Sequence, residues 1–236
     1  MNDDSEPGIR LAVGVSGAGK THGLRAQVYR AVRSGMPVIV LDRMHEWNEV
    51  PGDLVPVTCV VPDVAQALEY IPQGARLCVV RPSDVLTEAL SACEWARDYQ
   101  GVAGVACSEA HRIAPNTSAT LPGPLEDVAL AWRHHRVALW LDTQRISLLS
   151  RTLTEQAREL RIYAVGGDRD LARLREVGGK QLEDAAKECA RRLVGLGEYD
   201  DQGNQRTAPL PPEPGWHVLI RVTPLPPYHL ERERNL

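Results

Sequence analysis

Eight consecutive residues carry the first chemistry in this chain: Gly14-Val15-Ser16-Gly17-Ala18-Gly19-Lys20-Thr21. They fit G-x-x-x-x-G-K-[ST], the Walker A pattern that cradles phosphate. Glycines let backbone N–H groups converge on anionic oxygens where a side chain would block the approach or forbid the torsion. A helix starting near Lys20 would aim its unpaired N–H groups and positive dipole end at the same anion. Lys20 can reach β- and γ-phosphate oxygens, and the Thr21 hydroxyl can ligate Mg2+. The expected nucleotide contacts are Gly14, Ser16, Gly17, Ala18, Gly19, Lys20, Thr21 and the adjoining His22. A glycine-rich turn with a chance Lys-Thr is the bland alternative, and the flanks argue against it. Residues 9–13 are an apolar run suited to a buried strand, and 21–34 place Leu24, Val28, Ala31 and Val32 at roughly helical spacing. Strand, glycine loop and helix together imply that ATP or another nucleoside triphosphate binds.

Hydrolysis needs a carboxylate to orient water, an acid to hold Mg2+ through its water shell, and a γ-phosphate sensor. The apolar run at 102–107 ends in Ser108-Glu109, the natural place for such an acid pair. Glu109 occupies the water-activating position, but the metal-holding position carries Ser108, whose hydroxyl can hydrogen-bond a Mg2+-bound water but has no charge. Asp42 and Asp142, each at the end of an apolar run, are the available substitutes. The amide of Gln144, after Thr143, can hydrogen-bond a γ-phosphate oxygen or the attacking water from the strand beside the Walker strand. Read from its own position, Arg133 is a solvated arginine favoured by the carboxyl end of a helix dipole.

Further apolar runs at 37–41, 57–61, 76–80, 137–141, 160–165 and 216–222 read as strands. Helical stretches are expected at 64–71, 83–99, 125–134, 148–157 and through most of the chain to 196, with a break at Gly178-Gly179. This alternation predicts an α/β fold: a mostly parallel central sheet, helices on both faces, and an added carboxyl-terminal strand or hairpin. Residues 1–7 are expected to be a flexible start, 8–225 one domain, and 226–236 a charged, fraying tail. A loop at 114–124 and a hairpin at 198–206 complete the reading.

Composition narrows the class without deciding it. The 236 residues are 43% hydrophobic, enough for a core, and contain no Phe. A net charge of −4 leaves no global basic field, although a motor gripping DNA only inside a pore would not need one. Five scattered Cys lack C-x-x-C spacing and read as small buried hydrophobes. No run approaches the ~18 apolar residues of a membrane span, and the acidic start lacks a signal-peptide core. A soluble, cytoplasmic protein is expected.

The order of these segments resembles the FtsK-HerA class of P-loop ATPases, a RecA/FtsK-like fold, across most of the chain. Residues 14–21 match its Walker A. VIVLDRMHEW at 38–47 looks like its strand ending in Asp, with a Glu and an aromatic residue shortly after. Ser108-Glu109-Ala110-His111-Arg112 resembles its Asp-Glu-Ala-His block, with Ser in place of Asp. The run from Trp132 to Thr143-Gln144-Arg145-Ile146-Ser147 resembles its arginine-plus-Thr-Gln-Arg block. The resemblance implies a ring, hexameric in most such motors, that hydrolyses ATP with Mg2+ and pumps double-stranded DNA. It further implies a trans-acting arginine at Arg133, with Arg136 next. Features of the relatives that are not found here (an amino-terminal β-barrel, membrane spans, a DNA-reading domain) leave a bare motor. That is most similar to genome-packaging ATPases of tailless, membrane-containing viruses, whose partners would be capsid or portal-vertex proteins, in the host cytoplasm or at a virion vertex.

Two other classes compete. A P-loop kinase of a nucleotide or metabolite fits the size and the Walker loop, but no Arg-rich lid is visible. A nucleotide-dependent scaffold that hydrolyses little would explain Ser108. His134-His135 read as surface or DNA-facing side chains, because adjacent helix residues point apart. Arg112 and the loop at 114–124 are the DNA-contact candidates.

Overall fold

Short runs of Val, Ile, Leu and Ala bounded by Gly, Pro or Asp make strands that are buried on both faces. The computed structural model describes residues 6–117, 120–193, 216–221 and 229–234. Strand β1 (Gly8–Val13) passes through the glycine loop into helix α1 (Lys20–Arg33), followed by β2 (Val38–Leu41), β3 (Thr58–Val61), α2 (Val64–Tyr70), β4 (Leu77–Val80) and α3 (Val85–Asp98). Next come β5 (Ala103–Cys107), α4 (Gly123–His135), β6 (Val137–Thr143), α5 (Arg151–Glu155), β7 (Ala157–Ile162) and α6 (Asp168–Leu193). Strands β8 (Trp216–Arg221) and β9 (His229–Arg234) complete a sheet ordered β3-β4-β2-β5-β6-β1-β7-β8-β9. Seven strands run parallel, and β8 and β9 add antiparallel at one edge.

Strand periodicity divides the core into two. Val38, Val40, Leu77, Val79, Ala138 and Trp140 face α1, where Leu24, Val28 and Val32 cover them. The alternate residues Ile39, Leu41, Cys78, Val80, Leu139 and Leu141 pack with Ala89 and Ala96 of α3 and Val128 of α4. The helix starts follow their caps. Asp63 accepts from Gln66 N–H at 2.8 Å, and Asp84 accepts from Leu86 N–H at 3.0 Å. Helix α6 is interrupted at Gly178 and Gly179, as the sequence suggests.

Three expectations shift. Strand β7 spans Ala157–Ile162 rather than 160–165, because charged residues occupy its first half and find partners: Arg158 binds Glu6, and Glu159 lies 3.9 Å from Arg10. The helix expected at 148–157 shortens to Arg151–Glu155, because the chain before it pairs with 114–116 instead: Asn116 N–H donates to Leu148 O at 2.7 Å and Ser150 N–H to Ala114 O at 2.9 Å. The charged end at 229–234 is a strand hydrogen-bonded to β8, not a fraying tail. The expected hairpin at 198–206 lies outside the described residues.

Parallel strands place all their carboxyl ends on one edge, where open α/β sheets bind ligands. The glycine loop after β1, the turn after β2, Ser108-Glu109 after β5 and Gln144 after β6 therefore share that edge.

Candidate nucleotide-binding and hydrolysis site

The sheet order decides which side chains meet. β6 lies between β1 and β5, with Ala12 opposite Asp142, Val13 opposite Thr143, and Cys107 opposite Leu141. The carboxyl end of one strand thus faces the glycine loop on one side and Glu109 on the other.

The loop has the form its residues require. Gly17 and Gly19 take left-handed torsions (φ 76° and 95°), which an L side chain would resist. A Cβ on Gly14 would stand 2.6 Å from the Tyr163 Cβ, so this position admits no side chain without displacing β7's exit. α1 begins at Lys20 with no side-chain cap and no acidic residue in its first turn, leaving its N–H groups and positive dipole end for an anion. Lys20 is 6% exposed and its Nζ donates to Val15 O at 2.9 Å. Burial lowers its pKa, opposed by the charges of Asp142, Glu46 and Glu109.

A cavity of about 340 Å3 opens over this loop. Ser16, Gly17, Gly19, Lys20, Thr21 and His22 line it on one side, and Ser108, Glu109 and Gln144 on the other. Gly14 and Ala18 are buried beneath it and shape the loop from below. A larger cleft of about 690 Å3 between α2 and α3 has Leu68, Trp95 and Tyr99 in its wall and none of these groups.

Across the cavity the residues that follow β5 and β6 are joined. Gln144 Nε2 donates to Glu109 Oε1 at 3.1 Å, and Arg112 Nε donates to Glu109 Oε2 at 2.5 Å. Glu109 sits in the left-handed region (φ 56°), costly for a non-glycine residue by about 1 kcal/mol or more. Its N–H donates to Asp142 Oδ1 at 3.1 Å, which helps hold that conformation. His111 Nδ1 lies 3.1 Å from Thr143 Oγ1, a second tie between the loops after β5 and β6. Burial lowers the His111 pKa, against the Glu109 charge.

Two acids that the sequence offered as substitutes for Ser108 separate here. Asp42 accepts from Glu46 N–H at 2.7 Å and Trp47 N–H at 3.1 Å, folding the turn after β2. Trp47, 1% exposed, packs edge-on against Tyr29 at 5.6 Å and pins that turn. The turn swings Glu46 over the loop, its Oε2 3.2 Å from Thr21 Oγ1. Asp142 is 2% exposed and brings Oδ2 to 3.5 Å from the same hydroxyl. Desolvation raises its pKa, countered by the Glu109 N–H and the Lys20 charge.

These oxygens fit Mg2+. Octahedral bonds of about 2.1 Å set neighbouring ligand oxygens about 3 Å apart, close to the separations around Thr21. Among the described residues no three or more His, Cys, Asp or Glu gather as a metal cage. A Mg2+ ion here would be held by a hydroxyl, one or two carboxylates, substrate phosphate and water. Glu46 and Asp142 are the residues that site-by-site sequence reading left off the nucleotide list.

Arg133 is not brought to the cavity. It is exposed in the last turn of α4, its guanidinium 4.7 Å from the Trp132 ring centroid. β6 separates it from Gln144 by about 20 Å at about 3.3 Å per residue.

No protein-family model matches the chain, and no curated protein matches it in sequence. Solved structures do match its fold. The genome-packaging NTPase B204 of Sulfolobus turreted icosahedral virus 2, in complex with ATP-gammaS, superposes with a TM-score of 0.68 at 14% identity over 100% of both chains. The pCW3 conjugation coupling protein TcpA, monomer form with ATPgS, gives 0.52 at 11% identity, over 92% of this chain and 58% of that one. The cytoplasmic domain of the Thermomonospora curvata type VII secretion ATPase EccC gives 0.50 at 16% identity, over 96% of this chain and 25% of that one. Among the described residues, no helix is long and apolar enough to cross a membrane. The chain therefore has the fold of the P-loop NTPases and resembles, over its whole length, a viral genome-packaging NTPase, in accord with the FtsK-HerA likeness carried by its motifs.

Proposed function

We propose that the protein is an ATP-hydrolysing motor that translocates double-stranded DNA, packaging a viral genome as a ring of identical subunits. The observation that carries this reading is the junction of Gln144 with Glu109, 3.1 Å apart, in one cavity with Lys20 and Thr21. Glu109 would orient a water and accept its proton as the water oxygen attacks the γ-phosphorus. The bond from that phosphorus to the bridging oxygen breaks, and ADP leaves with the electron pair. Gln144 would register the γ-phosphate, and Lys20 would neutralise its oxygens. Mg2+ bound at Thr21 would supply further positive charge to the phosphate oxygens.

A lone subunit leaves Arg133 at the opposite sheet edge, so its catalytic part is proposed as a contribution to a neighbour's site. Assembly into a hexamer would then be required for full turnover. Arg112 and the loop at 114–124 are proposed to meet DNA, since Arg112 holds Glu109 and would feel hydrolysis. Capsid or portal-vertex proteins would be the docking partners, in the host cytoplasm or at a virion vertex.

Steady-state ATPase assays with and without double-stranded DNA test this. DNA should stimulate hydrolysis several-fold, and Lys20→Ala should lower it by about a hundredfold. Phosphoryl transfer to a small acceptor, or turnover indifferent to DNA, would overturn the motor.

A further inference from the structure

Position 108 carries a neutral hydroxyl where Mg2+ handling calls for a carboxylate. β5 and β6 run in parallel register with Cys107 opposite Leu141. Ser108 and Asp142 follow as neighbours on adjacent strands, about 4.8 Å apart in the sheet direction. An acid can thus move from one strand to the next without leaving the site.

Asp142 has the surroundings of a functional carboxylate. At 2% exposure, a carboxylate is expensive unless it is paired. One oxygen is satisfied by Glu109 N–H at 3.1 Å. The other, Oδ2, turns to Thr21 Oγ1 at 3.5 Å, the outer limit of a hydrogen bond and too long to satisfy a buried charge. Both Thr21 and Asp142 line the phosphate cavity.

The rival acids differ in commitment and burial, although Glu46 Oε2 lies 3.2 Å from Thr21 Oγ1. Both Asp42 oxygens are engaged by backbone N–H groups of its own turn, at 2.7 and 3.1 Å. Glu46 is solvent-exposed on that turn and gives a hydrated, movable charge. Ser108 itself gains a reason. A carboxylate there would stand beside the Asp142 carboxylate and repel it, whereas a hydroxyl adds no like charge.

We propose that Asp142, at the end of β6, is the acidic anchor of the Mg2+ site beside Thr21, and that the neutral Ser108 on the neighbouring strand leaves its charge uncontested. The same carboxylate holds the Glu109 backbone, so one side chain sets both the metal and the water-orienting glutamate. This rests on reading the cavity as a Mg2+–nucleotide site.

The test uses the full chain, Mn2+ titrated by electron paramagnetic resonance with a non-hydrolysable ATP analogue, and metal-free analogue binding alongside. Asp142→Asn should weaken Mn2+ in the ternary complex by about tenfold or more, with metal-free analogue affinity retained within a few-fold. Ser108→Ala should leave Mn2+ affinity within a few-fold, and the exchanged pair Ser108→Asp with Asp142→Asn should regain most of the loss. Wild-type Mn2+ affinity in Asp142→Asn, or a tenfold loss in Ser108→Ala or in Glu46→Gln alone, overturns the assignment. If Asp142→Asn fails to fold by circular dichroism, the exchanged pair decides: folded with near-wild-type affinity supports the proposal, and folded but tenfold weak, or unfolded, overturns it. A wild-type protein that binds no analogue at all would instead sink the nucleotide reading itself.

Discussion

Asp170 offers the sharpest test of how the segment after Gln144 is held. Its side chain is fully buried near the start of α6 and accepts from Arg145 Nε at 2.8 Å and Ser147 N–H at 2.9 Å. Asp170→Ala removes both acceptors. The Ser147 N–H then loses its partner, at about 1–2 kcal/mol. The ion pair adds about 1 kcal/mol, discounted because the Arg145 side chain is 51% exposed. The expected loss is about 2–3 kcal/mol, a fall in the urea midpoint of about 1–1.5 M for a slope of about 2 kcal/mol/M. Asp170→Asn keeps an acceptor for Ser147 N–H and should cost about 1 kcal/mol, whereas Arg145→Ala strands the buried Asp170 carboxylate and should cost about 3 kcal/mol. Unfolding can be followed by fluorescence of the five tryptophans. Metal-free nucleotide affinity should be unchanged, because Lys20 and Thr21 sit on α1. A midpoint within about 0.3 M of wild type for Asp170→Ala, or equal losses for Ala and Asn, would refute this account.

Other outcomes follow from the same geometry. Glu109→Gln should bind nucleotide but slow hydrolysis by about a hundredfold or more; single-turnover ATPase measurements would show persistent turnover if another base acts. Arg133→Ala subunits mixed with Glu109→Gln subunits should recover hydrolysis if the arginine serves a neighbour, and failure to recover removes it from that role. Mass spectrometry after alkylation of the native protein should find Cys59 modified first. It is partly exposed, and its hydrogen bond with Cys78, the sulfurs 3.1 Å apart, lowers its thiol. Cys93, fully buried and pushed up to about 12 by burial, should react only on unfolding; early labelling of Cys93 would contradict the packing.

The glycine loop was readable because its torsional and steric demands are local, and so were the ends of β2, β5 and β6, where an apolar run stops at a polar residue. Neighbour relations were less accessible. That Gln144 stands beside Glu109 depends on β6 lying between β1 and β5, a property of the sheet and not of either segment. Glu46 reaches Thr21 only because Asp42 and Trp47 fold their turn back over α1, which no spacing reveals. β7 escaped its true start because Arg158, Glu159 and Arg161 hide it behind charge, and only their pairing shows why burial is tolerated. Arg133 precedes β6 and Gln144 follows it, and a strand puts its two ends at opposite edges of the sheet. Asp142 was visible only as one of two acids, until the backbone N–H groups claimed by Asp42 distinguished them.

The outermost strand, β9, has the sequence HLERER and closes the antiparallel side of the sheet. At the far side, β3 is only four residues long. A charge-rich rim and a short rim are both poor templates for another sheet. Copies of this protein are thereby discouraged from joining strand to strand into open fibres. Contacts between copies would then fall to helical and loop surfaces, which can separate and re-form without unzipping the sheet.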